Sequence, residues 1–324
     1  MNRRDTVFAL LALGAAAAPR IALAQARPVR IGVLAARRLS SSYLPAVLKR
    51  LGELGYVEGT TMVVEYRSAQ GVAGRLPALA RELIQAKCDL IFALGSEQVV
   101  RAMLEANAGI PIVILAVDYD PVKVGIVSNL ARPGGNVTGM FISQPMLAAK
   151  RLQLMREMVP KAKRFLVLAD PFSKEQVEAV RQAAEQLRVE IVVEMFVAPP
   201  YDLESAFVKG RAAGVDAVIS ASSPVLADLL TSTAELAMKH RLPSAGATTR
   251  YAEAGFLFSY GVKPDKAFVR AGDIAASILK GAKPGDIGVE QPTEFELVVN
   301  LKTAKTLGLT IPQSIAVRAD RAIK

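Results

Sequence analysis

The sequence predicts an α/β protein made of two similar, doubly wound parallel-sheet lobes joined by three hinge crossings. The first observation is an internal repeat, because strand-like segments at 30–35, 89–96 and 110–113 recur in the same order at 164–169, 216–223 and 242–245. Solenoid units are far shorter, about 20 to 50 residues. The repeat therefore indicates two domains, each with its own core, and a cleft between them.

The second observation is the alternation of strand-length apolar runs with helical patterns. Apolar residues at helical spacing mark amphipathic helices near 44–54, 76–84 and 177–187. Such alternation is typical of parallel sheets covered by helices on both faces, with the loops after the strands at one edge, where ligands bind. The predicted strands lie near 29–35, 61–66, 89–94, 111–117, 137–142, 164–169, 190–196, 216–220, 243–247 and 255–260.

The third observation is a change of pattern after Tyr260, where a helix at 264–280 and a strand at 293–300 are predicted. Three breaks rich in Pro and Gly are interpreted as the crossings between lobes: 131–139, 261–264 and 281–292. The predicted first lobe covers 27–142 and 262–285, and the second covers 143–261 and 286–324.

The amino terminus predicts a cleavable export signal, residues 1–24. Arg3 and Arg4 give a positive start, an apolar run follows at 7–18, and Ala22-Leu23-Ala24 is a small-x-small cleavage site. The apolar run is shorter than the ~20 residues that span a membrane. The general secretory and twin-arginine routes both stay open. Because no cysteine stands at the cleavage site, we expect a periplasmic protein without a lipid anchor.

Composition argues against a nucleic-acid partner. The net charge is +10, but Lys and Arg are scattered beside Asp and Glu, and Trp is absent. A nucleic-acid-binding protein would cluster basic residues with interleaved aromatics. Cys88 is the single cysteine of the sequence, so it cannot form an internal disulfide and is predicted to be a small buried hydrophobe.

Specific motifs run through the whole mature chain. They are GELGYVEG at 52–59, EYR at 65–67, RLP at 75–77, DP at 120–121, LARPGGNVTG at 130–139, KHRLP at 239–243 and QPTEFEL at 291–297. These motifs resemble the ABC transporter substrate-binding proteins of the group that includes tryptophan and tyrosine importers. The resemblance implies a type I periplasmic-binding fold that closes on a small ligand, an aromatic amino acid in characterised relatives, and hands it to an inner-membrane permease.

Two positions depart from the pattern of that group. Ser68 stands where relatives commonly carry an aromatic residue, and Lys123 stands where they commonly carry a glycine. If either position lines the cleft, the ligand need not be the one that those relatives bind.

Residues at the predicted strand ends supply candidates for an amino-acid site. Ser96 would cap the helix at 97–106, so its hydroxyl and the free N–H groups of that helix could hold a carboxylate, and Ser223 before Pro224 offers the same chemistry. Ordinary helix capping is the alternative for each serine. Asp118 and Asp120 could receive an ammonium group, although Asp-Pro is also a common turn starter.

A further candidate region lies above the helix after the sixth strand. Ser173 and Gln176 are interpreted as a capping box that places Asp170 and Phe172 in the loop above. Phe172, like Tyr119 and Tyr260, could stack on an aromatic or cationic ligand group, although core packing is the more common role. The full predicted site comprises Ser41, Ser96, Asp118, Tyr119, Asp120, Ser143, Asp170, Phe172, Ser222, Ser223, Thr248 and Tyr260.

Enzyme chemistry is not indicated. His240 is the single histidine and lies near a helix carboxyl end, where a cation is favoured by the helix dipole. The sequence has no Gly-x-Ser-x-Gly elbow and no His or Cys pair at metal spacing. The glycine-rich stretch at 134–139 precedes a strand and lacks the Lys-Ser/Thr ending of a phosphate loop. We expect no cofactor, no metal and no catalytic residue.

Two functional hypotheses follow. The first is a periplasmic binding protein of an ABC importer that closes by hinge motion on a small solute. The expected solute is an amino acid, with the aromatic amino acids as the class that the resemblance implies. The second is a sensory module that presents the same solute to a receptor or kinase. We expect a monomer in either case. A sugar-binding repressor of similar fold is disfavoured by the export signal.

Overall fold

The computed structural model describes residues 27–36, 43–106, 109–117 and 119–324, and it confirms two α/β lobes with parallel-sheet cores. The predicted signal at 1–24 lies outside these residues. The strands are β1 (Val29–Ala35), β2 (Met62–Ser68), β3 (Leu90–Gly95), β4 (Ile112–Ala116), β5 (Val137–Phe141), β6 (Arg164–Ala169), β7 (Glu190–Met195), β8 (Ala217–Ser220), β9 (Ser244–Gly246), β10 (Phe258–Val262), β11 (Phe295–Asn300) and β12 (Arg321–Ile323).

Helices connect the strands in both lobes. They are α1 (Tyr43–Glu53), α2 (Leu76–Gln85), α3 (Glu97–Glu105), α4 (Gln144–Met158), α5 (Lys174–Leu187), α6 (Leu203–Ala212), α7 (Pro224–Asp228), α8 (Leu230–Lys239), α9 (Thr249–Glu253), α10 (Pro264–Leu279), α11 (Leu301–Leu307) and α12 (Gln313–Arg318). Short 3₁₀ helices lie at Ala73–Arg75, Pro171–Ser173 and Pro284–Asp286.

The strand order explains the internal repeat. The first sheet runs β2-β1-β3-β4-β5, and the second contains the same order as β7-β6-β8-β9-β10. The repeated carboxylates have the same role in both lobes: Asp89 accepts the N–H of Arg30 at 2.8 Å, and Asp216 accepts the N–H of Arg164 at 3.0 Å. Each carboxylate thus fixes the start of a central strand, because the backbone N–H there would otherwise lack a partner.

The second sheet extends beyond the repeat. β11 pairs antiparallel with β10, and β12, which the sequence did not predict, pairs parallel with β11. Three residues are too few to show strand periodicity, so β12 depends on its neighbour. The predicted strand at 255–260 is shifted to Phe258–Val262, because Gly255 turns the chain after α9 with a positive φ of 116°.

The chain crosses between the sheets three times, but the break at 131–139 is not one of these crossings. The break at 131–139 leads back into the first sheet, since β5 pairs with β4. The crossing instead follows β5 directly. The third crossing comes late, because the N–H groups of Val289 and Glu290 bond to the carbonyls of Leu130 and Gly139. We propose that the first lobe extends to Glu290, while the other predicted boundaries stay a prediction.

Each sheet is covered on both faces by apolar side chains. In the first lobe, Val47 and Leu51 of α1 pack in one core with Ala271 and Ile274 of α10, so the late helix closes the early sheet. Cys88 lies in the other core of this lobe, and burial raises the pKa of its thiol to about 11. The prediction that Cys88 is a small buried hydrophobe is confirmed.

Candidate functional site

Both sheets present their strand carboxyl ends to the hinge, because β5 and β10 lead directly into crossings. Parallel pairing brings the loops after the other strands to the same edges. The first lobe supplies Ser96, Tyr119 and Asp120 there, and the second supplies Asp170, Phe172, Ser222, Ser223 and Thr248. Ser41 and Asp118 lie outside the described residues.

A cavity opens between the two lobes beside the first crossing. It encloses about 80 Å³, well below the about 300 to 1,000 Å³ that is typical of small-molecule sites. Three predicted site residues line it: Tyr119, Asp120 and Ser143. The remaining lining residues are Val117, Lys123, Phe141, Ile142, Pro145 and Glu175.

The cavity combines charges of both signs from opposite lobes. Lys123 lies on the first lobe and Glu175 in the first turn of α5 on the second, and both are exposed. Neither forms an ion pair with another residue in the part of the chain that the structure describes. The carboxylate oxygen Oδ1 of Asp120 accepts the N–H groups of Val122 at 2.9 Å and Lys123 at 3.2 Å. This is the Asp-Pro turn that was the alternative for Asp120.

The predicted serines and threonine divide by what their hydroxyls do. Ser223 caps α7, since its Oγ accepts the N–H of Leu226 at 3.1 Å. Ser96 stands at the predicted cap position of α3 with an extended backbone, but its hydroxyl makes no cap bond to that helix. Ser143 before α4 and Thr248 before α9 make no side-chain cap bond either. The helix starts after these three residues therefore keep N–H groups available to a ligand.

The predicted capping box of Ser173 and Gln176 is wrong. The box forms one turn earlier, between Asp170 and Ser173: Asp170 Oδ1 accepts the N–H of Phe172 at 3.1 Å, and Ser173 Oγ accepts the N–H of Asp170 at 2.8 Å. The intervening 3₁₀ turn at Pro171–Ser173 causes this shift. Asp170 is completely buried, whereas Phe172 is 52% exposed.

Gln176 instead holds the loop after β8. Its Nε2 donates to the carbonyl of Ser222 at 2.7 Å, and its Oε1 accepts the N–H of Ser222 at 2.8 Å. This pair of bonds imitates strand pairing, so one side chain fixes the backbone of a predicted site residue.

The predicted aromatic residues are not equally accessible. Tyr119 is 6% exposed. Tyr260 stacks on Phe295 with ring centroids 5.9 Å apart, and burial raises the pKa of its phenol. Phe172 is the predicted aromatic that solvent reaches most freely.

Arg151 is a residue of this region that sequence reasoning missed. It lies on α4 with 0% exposure. Its Nη1 donates to the carbonyl of Tyr260 at 3.1 Å, and its Nη2 lies 3.5 Å from Gln176 Oε1. Burial lowers the pKa of the guanidinium to about 10, so it is protonated at neutral pH. The spacing of buried Leu147, Ala148 and Met155 on the same helix places position 151 inward.

The described residues contain no group of three or more His, Cys, Asp or Glu side chains that could hold a metal ion. Over the same residues, no helix is both long and apolar enough to cross a membrane. His240 lies at the carboxyl end of α8 as predicted, with its ring stacked on Phe207 at 5.7 Å between centroids.

Comparison with known proteins identifies similar chains. The family model described as ABC transporter substrate binding protein matches residues 42–323. A tyrosine-binding protein of Clostridioides difficile (strain R20291) is 28% identical over 265 residues, which cover 81% of this chain and 75% of that protein. A conserved domain protein from Vibrio cholerae O1 biovar El Tor is 26% identical with a TM-score of 0.80, covering 91% of this chain and all of that one.

A second similar structure contains a ligand. It is an ABC domain from Streptococcus pneumoniae in complex with L-Trp, 26% identical with a TM-score of 0.79. The alignment covers 91% of this chain and 100% of that chain. The match therefore includes both lobes.

Proposed function

Because the chain belongs to the ABC transporter substrate-binding protein family, we propose that it binds an amino acid between its lobes and delivers it to an inner-membrane permease. The single observation that carries the site is the cavity to which both lobes contribute side chains. A ligand held by both lobes favours the closed arrangement over the open one, which a permease can distinguish. The family consists of solute-binding proteins, so no catalytic step is assigned.

An aromatic amino acid is the favoured ligand class. One similar protein is described as tyrosine-binding and another was solved with L-Trp. In this chain, Tyr119 and Phe141 line the cavity and Phe172 is exposed at the neighbouring loop. Aromatic rings of this kind offer large apolar contact surfaces to an aromatic ligand. The alternative is a ligand that differs from those of the relatives, because Lys123 lines the cavity.

Export to the periplasm and a monomeric state belong to the same proposal. The predicted signal at 1–24 and the family both support a location outside the inner membrane.

The sensory alternative uses identical binding chemistry, so the two roles are distinguished by measuring uptake of the ligand. Deletion of the gene should abolish import of the ligand if delivery to a permease is the role.

The proposed ligand class is tested by thermal unfolding of the refolded, ligand-free protein against all proteinogenic amino acids. A ligand that binds the folded state alone stabilises it by about 2.7 kcal/mol at 100 times its Kd. We expect a selective increase in Tm with Phe, Tyr or Trp, confirmed by calorimetry. An unchanged Tm across the whole panel would exclude an amino acid as the ligand.

A further inference from the structure

Arg151 is a buried cation without a carboxylate partner among the described residues. Its two side-chain hydrogen bonds go to neutral acceptors, Tyr260 O and Gln176 Oε1, and its Nε has no hydrogen-bond partner there. Burial of a charge is costly unless an opposite charge compensates it. The guanidinium of Arg151 therefore lies in the interior of the second lobe without a direct counter-charge among the described residues.

This charge lies directly behind the cleft edge. Gln176 Oε1 accepts both from Arg151 and from the backbone N–H of Ser222, so the guanidinium is two hydrogen bonds away from the loop after β8. Ser222 is partly exposed at that edge. Tyr260, the other acceptor, belongs to the strand that leads into the second crossing.

A buried acid of the same lobe, Asp170, forms no ion pair with the guanidinium of Arg151 within the described residues. Asp170 directly follows β6 and is fully buried. Its Oδ1 accepts from the Phe172 N–H and from the Ser173 hydroxyl at 2.9 Å, and its Oδ2 has no hydrogen-bond partner among the described residues.

We propose that Arg151 is the residue that selects for a carboxylate-bearing ligand, and that the carboxylate lies toward the second lobe, at the end of β8. The guanidinium does not contact the ligand. Its positive charge attracts the ligand carboxylate electrostatically, across Gln176 and Ser222. The inference rests on the proposed ligand site between the lobes. It assigns the carboxylate to the opposite side of the cleft from the helix start after Ser96.

Pairs of ligands that differ only in the carboxylate test this assignment. The probes are L-tyrosine against L-tyrosinamide, L-tryptophan against L-tryptophanamide, and phenylacetate against phenylacetamide, with affinities from calorimetry. A unit charge about 7 Å from a carboxylate, at an effective dielectric constant near 20, changes affinity by roughly 50-fold. We expect wild-type protein to prefer an acid over its amide by at least about tenfold, and Arg151→Gln to lose this preference.

Control variants separate selection from structural support. Lys150→Gln removes the same charge from the adjacent, partly exposed position of α4 and should leave the acid-to-amide ratio unchanged. Arg151→Lys keeps the charge and should retain most of the preference. If Arg151→Gln does not fold, Arg151→Met replaces it, and a crystal structure of the wild-type complex shows which lobe the carboxylate faces.

The outcomes are distinct. Equal weakening of acid and amide in Arg151→Gln, an unchanged ratio, or a carboxylate against the first lobe would each overturn the assignment to Arg151. Binding of phenylacetate with an Arg151-dependent ratio, together with no binding of amino acids, would sustain Arg151 and reject the amino-acid proposal. Failure of every acid to bind the wild-type protein would reject both.

Discussion

At the scale of single residues, two polar side chains of types that are mostly found on protein surfaces organise the second lobe from within. Arg151 and Gln176 are polar residues on amphipathic helices, yet they are 0% and 2% exposed. Arg151 donates to the carbonyl of Tyr260, and Gln176 bonds to both backbone groups of Ser222. Buried polar side chains require hydrogen-bond partners of this kind. The inward positions of these two residues on α4 and α5 follow from helical spacing. Their partners do not, because Tyr260 lies on β10 and Ser222 in the loop after β8.

Gln176→Leu should destabilise the protein and loosen the loop after β8. The substitution leaves the N–H and carbonyl of Ser222 without their side-chain partner. Loss of such buried bonds costs about 1–3 kcal/mol. Urea unfolding measures the loss. Gln182→Leu, an exposed position of the same helix, should change the free energy of unfolding by less than about 0.5 kcal/mol, and equal effects of the two variants would contradict this role.

At the scale of elements, the strands next to the hinge depend on close backbone approach. A Cβ on Gly261 of β10 would lie 1.9 Å from the carbonyl oxygen of Ala247, and one on Gly139 of β5 would lie 2.2 Å from the carbonyl oxygen of Ile114. These are the strands that lead into the first two crossings. The glycines let each hinge strand approach its parallel neighbour, so the crossings leave the sheets at fixed positions.

Gly261→Ala should destabilise the second lobe, because the backbone of β10 or of Ala247 must move to admit the methyl group. Such overpacking costs about 1–3 kcal/mol. Gly52→Ala in α1 is the matched control: nothing lies within 4 Å of its added Cβ, and alanine favours a helix over glycine by up to ~1 kcal/mol. Chemical unfolding should give opposite signs for the two variants. A neutral Gly261→Ala would show that β10 shifts without cost.

At the scale of the whole molecule, the two lobes present opposite charges to one cavity. Lys123 belongs to the first lobe and Glu175 to the second, and both line the space beside the first crossing. Attraction between the Lys123 ammonium and the Glu175 carboxylate favours approach of the lobes, whether or not a ligand lies between them. The sequence marked Lys123 as a departure from its relatives, and the fold shows that this departure faces the cleft.

Lys123→Glu should weaken ligand binding, because it places like charges on the two sides of the cavity. Exposed charge pairs contribute about 0.2–1 kcal/mol, so we expect roughly a 2- to 5-fold higher Kd, reduced by added salt. Small-angle scattering should show less compaction on ligand addition. Lys305→Glu, exposed on α11, serves as the control, and Glu175→Lys combined with Lys123→Glu should restore affinity. An unchanged Kd in Lys123→Glu would show that Lys123 and Glu175 do not contribute to closure of the lobes.

Sequence by itself determined the two-lobed α/β fold and the positions of the eleven predicted strands to within a few residues. The fold and the strand positions follow from the periodicity of neighbouring residues. They follow also from the recurrence of the same local pattern around Asp89 and around Asp216. Only the tertiary structure decided that the break at 131–139 is not a crossing, that β11 runs antiparallel, that Gln176 bonds to Ser222 rather than capping a helix, and that Arg151 is buried without an acidic partner among the described residues. Those features depend on hydrogen bonds between residues far apart in sequence, and residue type does not specify which distant backbone group a buried polar side chain will meet.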